Sequence, residues 1–190
     1  MRSMFPLLFV SILLWSISSK ASGVMQNLQA RTCGNANDSV PLFATNGGPL
    51  QDFFASTSTV AIASVIEHQG FTFLGVSARV FTTQEPSTTP LYLVYSVISN
   101  GDATDHFYTT SASDRALLIE SGWIDAGVQA YIYPTQICGS VPYYVVYNSA
   151  QTEHFYTANQ TQYQNFLATA GWADQGIVGY VLPDPPNCIG

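Results

Sequence analysis

The feature that most constrains this chain is an internal repeat of about fifty residues, written three times. The second copy opens on Pro90-Leu91-Tyr92-Leu93-Val94-Tyr95 and the third on Pro142-Tyr143-Tyr144-Val145-Val146-Tyr147. The first opens on the shorter Pro41-Leu42-Phe43. β-Branched and aromatic runs behind a proline predict a first strand. A polar loop then leads to Asp105-His106-Phe107-Tyr108-Thr109 in copy two and Glu153-His154-Phe155-Tyr156-Thr157 in copy three. Copy one keeps a degraded form, Gln51-Asp52-Phe53-Phe54-Ala55. This is a predicted second strand, in which alternation sets Phe107 and Phe155 on one face and the histidines and tyrosines on the other.

A helix follows. Ser111-Ala112-Ser113-Asp114 is a capping-box pattern with Asp in place of Glu. Tyr163, Phe166, Leu167 and Ala170 fall at i, i+3, i+4 and i+7, an apolar stripe. The aligned pairs Val65/Ile66, Leu117/Leu118 and Phe166/Leu167 are expected to face inward. Each helix is predicted to stop at a glycine, Gly70, Gly122 or Gly171, because glycine enters the left-handed conformation without a Cβ clash. An aromatic comes next (Phe71, Trp123, Trp172), then a second glycine five residues after the first (Gly75, Gly127, Gly176). A closing strand is predicted through Arg79-Val80-Phe81, Tyr131-Ile132-Tyr133 and Tyr180-Val181-Leu182.

Gly70 and Gly122 lie 52 residues apart, Gly122 and Gly171 49 apart. The difference falls in the loop before the histidine motif, where length changes are tolerated. The expected fold class is therefore α+β, with three strand-strand-helix-strand repeats at 41–84, 90–136 and 141–183 in a single domain, 41–183. One such unit is too small to bury its own apolar face. With no obvious polar caps, closure around a pseudo-threefold axis is expected rather than stacking in line.

The N-terminus bears on compartment. Arg2, an apolar run from Met4 to Ile17 and the small residues after it read as a signal peptide, 1–23, with cleavage after Ala21 or Gly23. The run is shorter than the roughly 20 apolar residues of a membrane-spanning helix. A segment, 24–40, leads into the repeats, and a tail, 184–190, follows them. Without Arg2 and Lys20 the chain holds three arginines and no lysine against 12 acids, a net charge of 3 − 12 = −9. Such a surface repels phosphate backbones and anionic membranes, which sets nucleic acid aside as a partner. Asn37-Asp38-Ser39 and Asn159-Gln160-Thr161 are glycosylation sequons, the second at an expected helix N-cap. An exported chain is expected to oxidise two of Cys33, Cys138 and Cys188. The pairing Cys33–Cys138 is favoured, with Cys33–Cys188 its rival. Secretion to the medium or a cell wall is the expected location.

The pattern P-L-Y-x-x-Y, D/E-H-F-Y-T, a helix ending in G-W and then G-x-x-G/A-Y resembles a family of uncharacterised secreted repeats. That family, a domain of unknown function, occurs in fungal secreted proteins and in bacterial surface and cell-wall proteins. The resemblance spans roughly Cys33 to Pro183. It implies carbohydrate or wall binding only by association, since bacterial members sit beside wall-hydrolase modules. The family's first strand often carries an arginine after P-L-Y. Here those positions are Ala44, Leu93 and Val145.

A histidine beside a carboxylate is the natural place to look for chemistry. Adjacent strand residues point to opposite faces, however, so Asp105 does not buttress His106 by being its neighbour. No serine, zinc or dithiol motif accompanies the pair. The carboxylate separation of roughly 5–10 Å that a glycosidase needs is not readable from sequence. A three-histidine metal site would need His68, which matches no other histidine in the repeat. The chain is therefore expected to be non-catalytic, with no metal or cofactor. Recurring aromatics beside acids suit sugar rings and their hydroxyls. Candidate ligand-binding residues are Asp105, His106, Tyr108, Glu153, His154, Tyr156, Tyr92 and Tyr144, with packed histidines and tryptophans as the bland alternative. Carbohydrate or cell-wall polymer is the leading partner. A secreted protein partner is the alternative, and a hydrolase ranks below both.

Overall fold

The structure, a computed structural model, describes residues 33–47, 51–97 and 103–184, all within the compact unit Cys33–Gly190. The predicted signal peptide, the segment 24–32, Cys188 and the tail beyond Asp184 lie outside the described residues. A 3₁₀ turn, Ala36–Asp38, precedes β1 (Val40–Gly47), β2 (Asp52–Ser56), α1 (Thr59–Gln69) and β3 (Phe71–Val80). Copy two supplies β4 (Thr89–Val97), β5 (Ala103–Thr109), α2 (Ala112–Glu120) and β6 (Ile124–Ile132). Copy three supplies β7 (Val141–Asn148), β8 (Glu153–Thr157), α3 (Gln160–Leu167) and β9 (Trp172–Val181).

Each copy folds the same way. Its first strand is central, with the second and third antiparallel on either side: β2-β1-β3, β5-β4-β6 and β8-β7-β9. Each helix begins on a side-chain cap. Ser58, Ser111 and Asn159 accept from the backbone N–H groups of Ala61, Asp114 and Gln162, satisfying a donor the helix leaves open. The residue two before each cap repeats the device, as Ser56, Thr109 and Thr157 hydroxyls accept the cap residue's own N–H.

The α+β reading is corrected by these elements. The fold is mostly β, with three short helices among the described residues. The third strands begin within a few residues of the helix ends and run ten, nine and ten residues, so each is far longer than the closing strand read from sequence. Gly75, Gly127 and Gly176 sit inside these strands with positive φ, where the register with the central strand shifts. A glycine there makes a bulge rather than a break. Only α1 ends at its predicted glycine. Gly70 caps it in the left-handed conformation, while α2 ends on Ser121 and α3 on Ala168. Ala170 consequently lies past α3, and Leu117, expected inside, is 61% exposed.

Closure around a pseudo-threefold axis is likewise corrected. Each sheet ends after three strands, and the three do not join into one sheet around an axis. Among the described residues, the backbones of different copies pair at isolated bridges, Arg79–Leu182, Phe81–Tyr131 and Tyr133–Tyr180. The reason lies at the edge strands. The open backbone groups of β2 and β5 are taken by side chains of other copies instead of by another strand. Ala55 N–H donates to the Tyr108 hydroxyl at 2.9 Å, and that hydroxyl donates back to Ala55 O at 2.7 Å. Tyr108 N–H and O make the same pair with Tyr156 at 2.9 and 3.1 Å. Phe53, Tyr108, Phe155 and Tyr156 fill the space between sheets within one core that also holds Leu42, Leu91 and Tyr143. A disulfide joins Cys33 to Cys138, the favoured pairing.

Candidate functional site

Strand alternation aims each motif acid away from its own neighbouring histidine and toward another copy. His106 donates through Nδ1 to Asp52 Oδ2 at 2.5 Å, and its backbone N–H reaches Asp52 Oδ1 at 3.2 Å. His154 repeats this one copy later, with Nδ1 on Asp105 Oδ2 at 2.7 Å and N–H on Asp105 Oδ1 at 3.0 Å. The acids are 1% exposed at both pairs, so each carboxylate is consumed by a bidentate contact away from water.

The rings are held as well. His106 lies between Tyr95 of its own copy, at 5.5 Å, and Phe54 of copy one, at 5.0 Å. His154 lies between Tyr147, at 4.4 Å, and Phe107 of copy two, at 4.9 Å.

Copy one breaks the pattern twice. Phe53 stands in the histidine position and is fully buried, 4.8 Å from Phe155. Asn46 stands in the position of Tyr95 and Tyr147. Glu153, the acid of copy three, therefore meets no histidine. Asn46 donates to its Oε1 instead. Burial pushes the Glu153 carboxyl up to about 7, against the opposing Asn46 bond and with Asp52 and Asp105 adding to the rise.

The structure thus brings Asp105, His106, Glu153 and His154 into a shared interior network, not onto an open surface. Tyr108 and Tyr156 are buried too, and burial holds their hydroxyls well above the usual range. Tyr92 and Tyr144 are half-buried under their own copies. The Arg115 guanidinium lies 4.7 Å above Tyr92 while it pairs with Asp125, and Tyr163 stacks on Tyr144 at 4.3 Å. Trp172 packs on Phe166 at 4.5 Å, and Trp123 meets Phe107 edge-on at 6.4 Å. Asn37 and Asn159 are exposed, the latter with its Oδ1 engaged as helix cap at 3.1 Å. His68 lies apart on α1, bonded to Ser64 O.

Sequence reasoning missed Asn46, Asp52 and Phe54 as members of this network. The alignment of Asp52 with Asp105 and Glu153 was the available signal.

Two clefts open between copies, built from the same repeat positions. One lies between Phe155–Thr157 with Asn159 and Gln162 on one side, and Leu74–Ser77 on the other. Its equivalent lies between Phe107–Ser111 with Asp114, and Gln175–Val178. Each has an apolar floor and a rim of hydroxyl, amide or carboxylate groups. Thr110 ties the second together by donating to Val178 O at 3.0 Å.

Among the described residues no helix is long and apolar enough to cross a membrane. No curated protein and no solved structure matches the chain. A family model matches residues 42–182, from the first strand of copy one to the last of copy three, and the chain therefore belongs to the family described as a domain of unknown function, DUF5648.

Proposed function

We propose that this chain is a secreted, non-catalytic module that binds neutral carbohydrate of the kind found in cell walls, as fungal and bacterial proteins of similar pattern suggest. The observation that carries the reading is the pair of equivalent clefts between copies, since repetition of one weak site gives avidity on a polymer with repeating units. Their rims offer the Gln162 amide in one cleft and the Asp114 carboxylate in the other as partners for sugar hydroxyls, above threonine hydroxyls that hold the helix caps. The strongly acidic balance favours a neutral glycan over a polyanion. The acid-histidine pairs serve as the frame that sets the clefts, with their polar atoms already engaged.

A glycan array and a wall-polysaccharide pull-down test this. Binding is expected to a neutral polysaccharide, with short oligomers weaker than polymer, and Gln162→Ala should weaken it about tenfold. Absence of binding to every glycan at high concentration would overturn it. Exposed Leu74, Val128 and Ile177, which all lie on third strands, favour a second reading, a protein partner. That reading predicts capture of a defined secreted protein with no glycan response.

A further inference from the structure

We propose that Glu153 is a proton-operated latch between the third copy and the first. Neutral, it rests in the interior on Asn46. Ionised, it sets a third carboxylate within electrostatic reach of Asp52 and Asp105 and loosens that junction alone.

Three equivalent acids have unequal partners. Asp52 and Asp105 each meet a histidine ring and its backbone N–H. Each of these carboxylates therefore has two N–H donors, one to each oxygen, which stabilise an anion. Glu153 is as deeply buried, 2% exposed, and has the neutral amide of Asn46. Among the described residues, the groups around it supply no compensating cation. On β2 stands Asp52, and on β5 Asp105, both committed to histidines. On β7 the paired residue is Asn148. On β8 itself the next residue is His154, engaged with Asp105. α3 carries Tyr163 and no acid or base, and β3 carries one cation, Arg79, which is bonded to Ser39. An anion here is stranded, which agrees with a carboxyl shifted upward mainly by burial.

The sign follows. A carboxyl raised in the folded state stabilises fully below its unfolded value, and that contribution is lost as pH climbs through the folded one. The window runs from about 4.5 to about 7. Stability at this junction is therefore greatest in mild acid.

Thermal unfolding of the full chain and of Glu153→Gln, from pH 5 to pH 8, tests the proposal. The amide cannot ionise, so the wild-type midpoint should fall relative to the variant by about 5–10 °C across that range. Amide hydrogen exchange, corrected for its intrinsic pH dependence, should rise at Asn46 and Phe53 and stay unchanged at His106. An unchanged difference between the two proteins would overturn the latch. Should the variant fail to fold, the carboxyl ¹³C shift of Glu153 in the wild type decides. A titration midpoint between pH 6 and 8 supports the proposal, and one below pH 5 overturns it.

Discussion

At Tyr108 and Tyr156 a phenolic hydroxyl donates to one backbone group and accepts from another on a neighbouring copy, so two main-chain atoms depend on one oxygen. Removing that oxygen leaves a buried N–H and a buried C=O without their partner. Tyr156→Phe should therefore cost about 1–3 kcal/mol in urea unfolding, more than a buried hydroxyl making a single bond. A loss below about 0.5 kcal/mol would mean that water or backbone shift replaces both bonds. The residue scale is also where sequence was least legible. That Asp105 does not serve His106 follows from strand alternation. That Asp52 does serve it requires knowing which copies meet, across 54 positions of chain. Burial of Tyr92 under Arg115 depends in the same way on where a long side chain lies over its own sheet.

Among elements, the third strands carry the clearest test, because their glycines differ in what they need. Gly127 and Gly176 adopt φ of 75° and 84°, and a Cβ at either would meet nothing within 4 Å. Alanine there meets only backbone strain, about 1–2 kcal/mol. The bulge is further fixed by Asp125 and Asp174, which accept the glycine N–H at 2.9 and 2.7 Å. Gly179 is the reverse, lacking positive φ, but its Cβ would lie 2.5 Å from Ile132 Cδ1 and 3.1 Å from Tyr133 O. Gly179→Ala should cost more than Gly176→Ala, because Ile132 is buried with no room to move aside and the Tyr133 carbonyl is close behind it. Chemical denaturation of both variants checks the order. The helix caps at Ser111 and Asn159 were legible, since a cap is a local exchange of one side chain for one backbone N–H. The early halves of the third strands were not. A mid-strand glycine looks like punctuation when only neighbours in sequence are considered.

Over the whole molecule, the disulfide spans 105 residues and ties the segment before copy one to the segment between copies two and three. Closing a loop of that length restricts the unfolded chain by about 4–5 kcal/mol. Replacing Cys33 and Cys138 by alanine together should lower unfolding stability by up to that amount, measured against the oxidised parent. The threefold repetition of structure was readable, because glycines and aromatic strands recur at fixed spacing. The separateness of the sheets was not, because it rests on tyrosine hydroxyls reaching across copies.

The exchange of an acid in one copy for a histidine in another has a further consequence, for descent. A duplicated unit inherits half of each pair, so its fate is tied to the unit it abuts. Phe53 in the histidine position and the donor at Asn46 share one junction with the carboxyl of Glu153, so a change at either is felt by the same acid. In related chains positions 46, 53 and 153 should change together. Histidine at 53 should travel with an aromatic at 46, and phenylalanine with an amide, so that inheritance follows the junctions rather than the copies.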